Sequence, residues 1–254
     1  MSVQDRIKAA RQDLAGIQRD LLEQLRKDRS RSRGAVVRQL HIVRGMLNHG
    51  YPYGSQAGQD SFVDRHFGFK TGGTFVDVGA YDGVTGSNSL FFERFREWTG
   101  VLVEPVAEQR AKAEKYRSSP VMNYAVSTKK GTADFIAVTE GYTQMSGLAK
   151  TYDKGMLDRV RADKRHVEKT IKVPTRSLTA ILTEAGIEHP DFISLDIEGG
   201  ELAVLEKFPF RKHDVGAWAI ENNLGNSALP ALMRKNGYQL AEFCGPDEIY
   251  LKAE

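Results

Sequence analysis

One stretch decides the fold of this 254-residue chain: Phe75-Val76-Asp77-Val78-Gly79-Ala80-Tyr81-Asp82-Gly83. Its apolar, β-branched beginning at residues 74–78 predicts a short buried strand, and the glycines that follow predict a tight loop. Glycine permits a positive φ and lets the backbone approach a ligand closely. Because ligands of open α/β sheets bind beyond the carboxyl ends of the strands, this loop is expected to hold a nucleotide-like molecule.

The spacing and charge of this loop restrict its ligand. Its glycines, at positions 79, 83 and 86, lack the Gly-x-Gly-x-x-Gly spacing that seats a pyrophosphate on a helix N-terminus. Asp77 and Asp82 would repel a pyrophosphate and suit a cationic ligand. S-adenosylmethionine carries an ammonium and a sulfonium and no phosphate, so the charges favour it over NAD.

Two further strand ends are candidates for binding the nucleoside. Glu104 ends the second apolar run, where a carboxylate is able to accept hydrogen bonds from both ribose hydroxyls. Pro105 ends that strand because it has no backbone N–H to donate. The third predicted strand, at residues 121–126, places Ala125 and Val126 beside the adenine.

The apolar runs of the chain predict an α/β fold with a mostly parallel sheet. They alternate with helical segments, which is typical of a sheet covered by helices on both faces. The last two runs are separated only by Cys244-Gly245-Pro246-Asp247, which is too short for a crossover helix, so these strands are expected to pair antiparallel. The predicted strands are 74–78, 100–104, 121–126, 192–196, 217–221, 238–243 and 248–251, with 132–138 either extending the sheet or forming a hairpin.

The first 50 residues form a basic extension. They hold eleven Lys and Arg residues and five acidic residues, although the net charge of the whole chain is only +3. Apolar residues at helical spacing predict a helix over residues 4–27, a linker over 28–34 and a second helix over 35–47. Three interpretations of the first helix stay open: homo-oligomerisation or partner binding, packing on the protein's own surface, and attachment to a membrane surface. The basic excess favours either an anionic partner or an ordinary solvated face.

Residues 139–172 interrupt the main domain, which is expected to span residues 51–254. This segment is polar, charged and too long for a simple connection, and its place in the chain puts it over the mouth of the predicted site. Tyr142, Gln144 and Ser146 are candidates for contacting an acceptor. His166 is a candidate general base because the ordinary histidine pKa of about 6.5 suits proton transfer, and an ordinary surface histidine is the alternative.

The motifs along residues 55–252 resemble, in order, those of the FkbM family of methyltransferases. The matching pieces are Ser55-Gln56-Ala57-Gly58-Gln59-Asp60, the 75–83 loop, Ser87-Asn88-Ser89, Trp98-Thr99-Gly100-Val101-Leu102-Val103-Glu104-Pro105, Val173-Pro174-Thr175-Arg176-Ser177-Leu178, residues 191–201 and Glu221-Asn222-Asn223. Tyr81 departs from the family, which often has Asn there. The resemblance implies a Rossmann-like class I methyltransferase with a seven-stranded sheet, S-adenosylmethionine as its cofactor, and O-methylation of a sugar, glycoconjugate or natural product.

The resemblance and the loop argument together assign eleven residues to the cofactor. They are Asp77, Gly79, Ala80, Asp82, Ser87, Asn88, Glu104, Pro105, Ala125, Val126 and Asp196. Most of them lie at the predicted carboxyl ends of strands, where such sheets bind their ligands.

Acidic side chains at two more strand ends are candidates for catalysis. Asp196 ends one strand, and Glu198 follows it at the start of a helix. Glu221 and Asn222 end the next strand and, with Asp196, offer the oxygen ligands of Mg²⁺ or another divalent cation. Metal-free base catalysis by Glu198 or His166 is the second interpretation. The third is that Asp196 and Glu198 only stabilise the start of the following helix.

Composition and the remaining segments narrow the function class. The single cysteine, Cys244, fits a reducing compartment, and the chain begins without the apolar core of a signal peptide. No stretch reaches the roughly 20 apolar residues of a transmembrane helix, so a cytoplasmic protein is expected. A nucleic-acid partner is not expected, because the main domain is slightly acidic. An NAD-type oxidoreductase and a noncatalytic Rossmann-like nucleotide-binding protein are the competing hypotheses.

Overall fold

The computed structural model describes residues 1–253, and its centre is the predicted strand at residues 74–78. The strands are β1 (Thr74–Val78), β2 (Thr99–Val103), β3 (Val121–Met122), β4 (Ala125–Val126), β5 (Gly131–Glu140), β6 (Gly147–Leu148), β7 (Val167–Arg176), β8 (Phe192–Leu195), β9 (Ala217–Glu221), β10 (Tyr238–Cys244) and β11 (Asp247–Lys252). The helices are α1 (Val3–Lys27), α2 (Arg33–Leu47), α3 (Gln59–His66), α4 (Leu90–Phe95), α5 (Ala107–Tyr116), α6 (Lys154–Arg161), α7 (Leu178–Ala185), α8 (Glu201–Glu206) and α9 (Ala228–Lys235).

The main sheet has seven strands in the order β10-β11-β9-β8-β1-β2-β3. β1 pairs in parallel with β2 and β8, and β8 pairs in parallel with β9. β11 lies between β9 and β10 and runs antiparallel to both. The predicted Rossmann-like α/β fold, with a mostly parallel sheet and an antiparallel C-terminal hairpin, is therefore confirmed.

The central strands are buried on both faces because their residues are apolar at successive positions. Val76 and Val78 pack into one hydrophobic core together with Val101 and Val103 of β2. Phe75, which points to the opposite face, packs into a second core. This double coverage is the arrangement expected of parallel sheets with helices on both sides.

The structure corrects the single strand predicted over residues 121–126. Val121–Met122 joins the main sheet as β3, whereas Ala125–Val126 leaves it and pairs with β7 in a second sheet of order β4-β7-β5-β6. The polar pair Asn123-Tyr124 separates the two short strands. The predicted strand at 132–138 is the middle of β5, which pairs antiparallel with β7 in this second sheet.

Residues 139–172 are an ordered part of this second sheet. They include the end of β5, all of β6 and α6, and the first half of β7. β5 and β7 are paired from Gly131 with Thr175 to Glu140 with Val167. The turn between β5 and β6 therefore projects from a long two-stranded ribbon, and its residues 143–146 line a cavity over the main sheet.

The N-terminal extension folds as a helical hairpin whose second helix is docked on the main sheet. Leu21 of α1 is buried against Leu40 and Val43 of α2. The first helix spans residues 3–27 and the second begins at Arg33, two residues before its predicted start. None of the helices in the described part of the chain combines the length and the apolar character needed to cross a bilayer.

The predicted linker at residues 28–34 is held by specific contacts. Arg33 forms an ion pair with Glu242 at 2.5 Å. Gly34 accepts a hydrogen bond of 3.0 Å from the Gly245 amide, and a Cβ at position 34 would come within 2.3 Å of the Gly245 oxygen. Only glycine allows this close approach between α2 and the β10–β11 turn.

Candidate active site

A cavity lies over the carboxyl ends of the strands of the main sheet. Six carboxylic acids from four strand ends and the β10–β11 turn line it: Asp77, Glu104, Asp196, Glu198, Glu221 and Asp247. Sequence analysis predicts five of them as site residues, and the structure brings all five together. The sixth, Asp247, follows the turn between the last two strands, and local sequence pattern carries no signal that this turn folds back over the site.

The loop after β1 needs glycine because of a neighbouring strand end. Gly79 has a φ of +82°, and a Cβ at this position would come within 1.8 Å of the Asp196 carbonyl oxygen. The Asp196 amide in turn donates to the Val78 oxygen at 3.1 Å. The glycine thus permits the ends of β1 and β8 to meet, so that Asp196 and the loop share one wall of the cavity.

The two acids of this loop have partners within the protein. Asp77 accepts hydrogen bonds from Ser87 and Ser89, and Arg117 lies close enough to favour its charged form, although burial raises the pKa of Asp77. The Asp82 carboxylate accepts hydrogen bonds of 2.7 Å from both the amide and the hydroxyl of Thr85. Asp82 stabilises this turn and does not line the cavity.

Glu104 is the buried acid at the end of β2. One carboxylate oxygen accepts a 3.0 Å hydrogen bond from the Tyr81 amide, and the other accepts a 2.7 Å bond from the Val106 amide. Burial raises the pKa of Glu104 to about 7 in spite of these donors. Tyr81 has a φ of +50° and its hydroxyl lies 2.6 Å from the Thr143 hydroxyl, so it connects the β1 loop to the segment at residues 139–172.

The other predicted cofactor residues also lie around this cavity. Gly79, Ala80, Ser87 and Asn88 line it beside the β1 loop, and Pro105, Ala125 and Val126 line its opposite end. Tyr124, Phe135 and Leu148 add apolar and aromatic surface at that end.

Three acids form a tight cluster between β8 and β9. Oxygen atoms of Asp196, Glu198 and Glu221 all lie within 4.8 Å of one another. Burial and the neighbouring Asp247 raise the pKa of Asp196 to about 7. Burial together with the Asp196 charge raises the pKa of both Glu198 and Glu221 well above the ordinary value.

Glu198 is the strained member of this cluster. Its φ is +59°, a conformation that non-glycine residues seldom adopt and that concentrates at functional sites. Its Oε2 atom is buried and has no hydrogen-bond partner among the described residues. Gly147 packs against it so closely that a Cβ at position 147 would come within 3.0 Å of the Glu198 Cβ.

Glu201 supplies the capping interaction at the start of α8. One of its oxygens accepts hydrogen bonds from the amides of Ile197 and Gly199, at 3.0 and 3.1 Å. The other accepts a 2.9 Å bond from Gly200. Because Glu201 satisfies these amides, the carboxylates of Asp196 and Glu198 stay available to a ligand.

Asn222 serves a different network from the predicted one. Its side-chain oxygen accepts a 2.8 Å hydrogen bond from the Asn226 amide, and its nitrogen donates to Glu248 at 2.8 Å. Asn222 does not line the cavity, whereas Glu198 completes the acidic cluster with Asp196 and Glu221.

The structure does not bring His166 into the cavity. Its Nε2 atom lies 2.9 Å from a Glu168 oxygen, while its Nδ1 atom is buried without a partner. Of the predicted acceptor contacts, Gln144 and Ser146 line the cavity, and the ring of Tyr142 is exposed away from it.

A second cavity meets the first at the acidic cluster. Glu198, Glu221 and Asn223 line both cavities. The second is otherwise lined by residues 151–154 and by residues from α8 and the β9–α9 loop, with Asp153, Lys154, Asn222 and Asn226 among its polar groups. The arrangement therefore has two chambers that open onto the same carboxylates.

The fold is the Rossmann-like fold of class I methyltransferases. The chain belongs to the FkbM methyltransferase family, because the model described as "Methyltransferase FkbM domain" matches residues 77–240. A comparison with curated proteins found no match.

Solved structures provide fold comparisons. The FkbM methyltransferase of Methylobacillus flagellatus aligns with a TM-score of 0.48 and 14% sequence identity over 93% of this chain. The chain spans only 58% of the length of that protein. A methyltransferase of Pyrococcus furiosus aligns with a TM-score of 0.39 and 16% identity, over 85% of this chain and 98% of the other.

Proposed function

We propose that this protein transfers a methyl group from S-adenosylmethionine to a hydroxyl of a sugar, glycoconjugate or natural product. The family supports methyl transfer. The observation that carries the proposal is the meeting of two cavities at the cluster of Asp196, Glu198 and Glu221. One cavity has the lining expected for the cofactor, and the other offers carboxylate, amide and hydroxyl groups to an acceptor.

The donor set of the first cavity fits S-adenosylmethionine. Its acidic lining suits a ligand with two cationic groups, and the buried Asn88 Oδ1 and Glu198 Oε2 atoms are acceptors without a partner. A dinucleotide would place its pyrophosphate against the same carboxylates and be repelled. The acids that face the ligand are Glu104, Asp196 and their neighbours, since the Asp82 carboxylate is occupied within its own turn.

Each end of the cofactor has a candidate contact. Ala125 and Val126 would cover the adenine, and Glu104 would accept hydrogen bonds from the ribose hydroxyls. The amino-acid end would then extend past Gly79 toward β8. When bound, the cofactor supplies an electrophilic methyl group on a sulfonium.

The second cavity is proposed to hold the acceptor. Carboxylate, amide and hydroxyl groups, such as those of Asp153, Asn223 and Thr151, are able to hydrogen-bond a molecule with many hydroxyls. Because Glu198 and Glu221 line both cavities, an acceptor hydroxyl at this junction would face the cofactor cavity. Holding two reactants in line contributes about 7–11 kcal/mol in the best cases.

Glu198 is proposed as the general base. The pKa of Glu198 is raised toward neutral pH, and a general base is most effective when its pKa lies near the pH of the reaction. Its Oε2 atom is free to accept the hydroxyl proton. Burial and the charge of Asp196 keep that pKa high. His166 is left out of this proposal because it does not line either cavity.

The same three carboxylates also have the donor set of a divalent-cation site. Asp196, Glu198 and Glu221 would hold Mg²⁺ through oxygen atoms, and the ion would lower the pKa of an acceptor hydroxyl. Glu198 takes the place that the sequence assigns to Asn222. If the cluster holds a cation, chelation should abolish methyl transfer. If Glu198 acts as a metal-free base, chelation should leave methyl transfer unchanged.

A methyl-transfer screen tests the proposed function. Purified protein is incubated with radiolabelled S-adenosylmethionine and a panel of sugars, glycoconjugates and hydroxylated natural products, with Mg²⁺ or with EDTA. Transfer that Glu198→Gln lowers at least about 100-fold supports the base. Loss of transfer in EDTA assigns the cluster to a cation, and unchanged transfer assigns it to base catalysis alone.

Calorimetric titrations with S-adenosylmethionine and NADH separate the competing functions. Binding of NADH alone would contradict the proposal in favour of an oxidoreductase. Binding of S-adenosylmethionine without turnover on any acceptor would favour a noncatalytic nucleotide-binding protein.

A further inference from the structure

Arg38 is the only basic side chain in the described part of the chain that lines the cofactor cavity. It belongs to α2, in the N-terminal extension, which lies outside the segment matched by the family model. Arg31 and Arg33 of the same extension form ion pairs with Glu248 and Glu242. Arg38 has no ion pair or hydrogen bond with any residue in 1–253, although the cavity beside it contains six carboxylic acids.

The helix that carries Arg38 is fixed on both sides. At its start, Gly34 is in close contact with Gly245, and Arg31 donates to the Pro246 oxygen at 2.9 Å. One turn after Arg38, a Cβ at position 58 would come within 3.3 Å of the His41 ring. The guanidinium therefore extends from a docked helix, which lowers the entropic cost of using it to bind a ligand.

Arg38 and the proposed adenine pocket lie toward opposite ends of the cavity. α2 is docked on the β10–β11 turn, at one edge of the main sheet, whereas Ala125 and Val126 follow β3, at the other edge. Neighbouring strands are about 4.8 Å apart, so β11 lies three spacings, roughly 14 Å, from β1, whose loop the cofactor would cross. A cofactor whose adenine lies beside Ala125 would point its amino-acid end toward β8, β9 and Arg38.

We propose that Arg38 binds the α-carboxylate of S-adenosylmethionine. This inference rests on the proposed function. The carboxylate is the one anionic group of a cofactor whose other charges are positive, and the remaining charged groups of the cavity are acids that would repel it. A guanidinium binds a carboxylate through two parallel hydrogen bonds, a geometry that an ammonium does not reproduce.

Paired titrations test this assignment. Isothermal calorimetry measures the affinities of S-adenosylmethionine and of decarboxylated S-adenosylmethionine, which keeps the nucleoside, sulfonium and ammonium and lacks only the carboxylate. Arg38→Ala is expected to lower the affinity for S-adenosylmethionine about tenfold or more, because one charge-assisted hydrogen-bond contact is lost. The decarboxylated ligand is expected to bind wild type and Arg38→Ala equally well.

Two further variants make the test specific. Arg38→Lys should recover part of the lost affinity, since it restores the charge without the planar pair of donors. Arg44→Ala removes a charge from the same helix outside the cavity and should leave both affinities unchanged.

Each remaining outcome contradicts the assignment. If Arg38→Ala lowers the affinity for both ligands equally, Arg38 contributes to binding through a group other than the carboxylate. Unchanged binding of both would exclude a cofactor contact and favour an anionic group on the acceptor instead. A wild-type protein that binds neither ligand would refute the proposed function itself, which is distinguishable because that result appears before any variant is compared.

Discussion

Replacing Glu198 with glutamine is expected to stabilise the ligand-free protein while abolishing most of its methyl transfer. The structure clusters the oxygens of Asp196, Glu198 and Glu221 within 4.8 Å. Neutralising one of them removes repulsion from the folded state, and the isosteric amide keeps the packing against Gly147. Residues that are needed for activity commonly lower the stability of the folded enzyme.

The size of this gain follows from Coulomb's law. Two unit charges 4.8 Å apart repel by about 3 kcal/mol at an effective dielectric constant of about 20. Asp196 is only half-buried and the cluster relieves repulsion by taking up protons, so we expect about half of that, about 1.5 kcal/mol. For a chain of this size, 1.5 kcal/mol corresponds to a rise in Tm of about 3–6 °C.

The gain depends on pH with a definite sign. The folded-state pKa of Asp196 is raised from 3.8 to about 7, and that of Glu198 is raised as well. Between pH 4 and 7 these carboxyl groups bind more protons in the folded protein than in the unfolded chain. Their contribution to the free energy of unfolding of the wild type therefore falls as pH rises. The stabilisation by Glu198→Gln should therefore be close to zero at pH 5 and full at pH 8.

Scanning calorimetry at pH 5, 6.5 and 8 in EDTA measures this difference. Glu188→Gln, at an exposed position without side-chain hydrogen bonds, is the matched control and should change Tm little at any pH. A Glu198→Gln protein that is less stable than wild type at pH 8, or equally stabilised at pH 5 and 8, would refute the proposed repulsion.

Three further perturbations have expected outcomes. Gly79→Ala should prevent cooperative unfolding or lower stability by at least about 3 kcal/mol in calorimetry, because its Cβ would clash at 1.8 Å, whereas Gly237→Ala, with a similar φ of +85° and open space, should cost only about 1 kcal/mol. Arg31→Ala leaves buried Glu248 without its cation and should cost about 2 kcal/mol and expose the extension to limited proteolysis; unchanged cleavage would contradict this. Glu104→Gln should lower the affinity for S-adenosylmethionine, measured by calorimetry, about tenfold. An affinity equal to that of the wild type would exclude the contact between Glu104 and the ribose.

Local sequence pattern predicts the scaffold of the site well. β1, β2, β8 and β9 are short apolar runs, and an acidic residue lies at or next to the carboxyl end of each. This pattern predicts Glu104, Asp196 and Glu221 as site residues, since parallel strands bring their carboxyl ends to one edge. The hairpin at the C-terminus follows from a turn too short for any other connection.

Contacts between distant segments account for what the sequence did not reveal. Arg38 lines the cavity from α2, which Gly34 allows to pack against the β10–β11 turn more than 200 residues away along the chain. Asp247 reaches the cavity because β11 pairs with β9, which places Asp247 opposite Glu221. Glu198 joins Asp196 and Glu221 in the cluster with a positive φ after β8, which local sequence pattern does not predict. Each of these features is a tertiary contact or a backbone conformation that no local periodicity encodes.

The most direct test of the central claim is a crystal structure with S-adenosylhomocysteine. We predict the adenine beside Ala125 and Val126, the ribose hydroxyls on Glu104, and the amino-acid end crossing Gly79 toward Asp196. A nucleoside bound elsewhere on the molecule, with these strand ends holding a different ligand, would contradict the account.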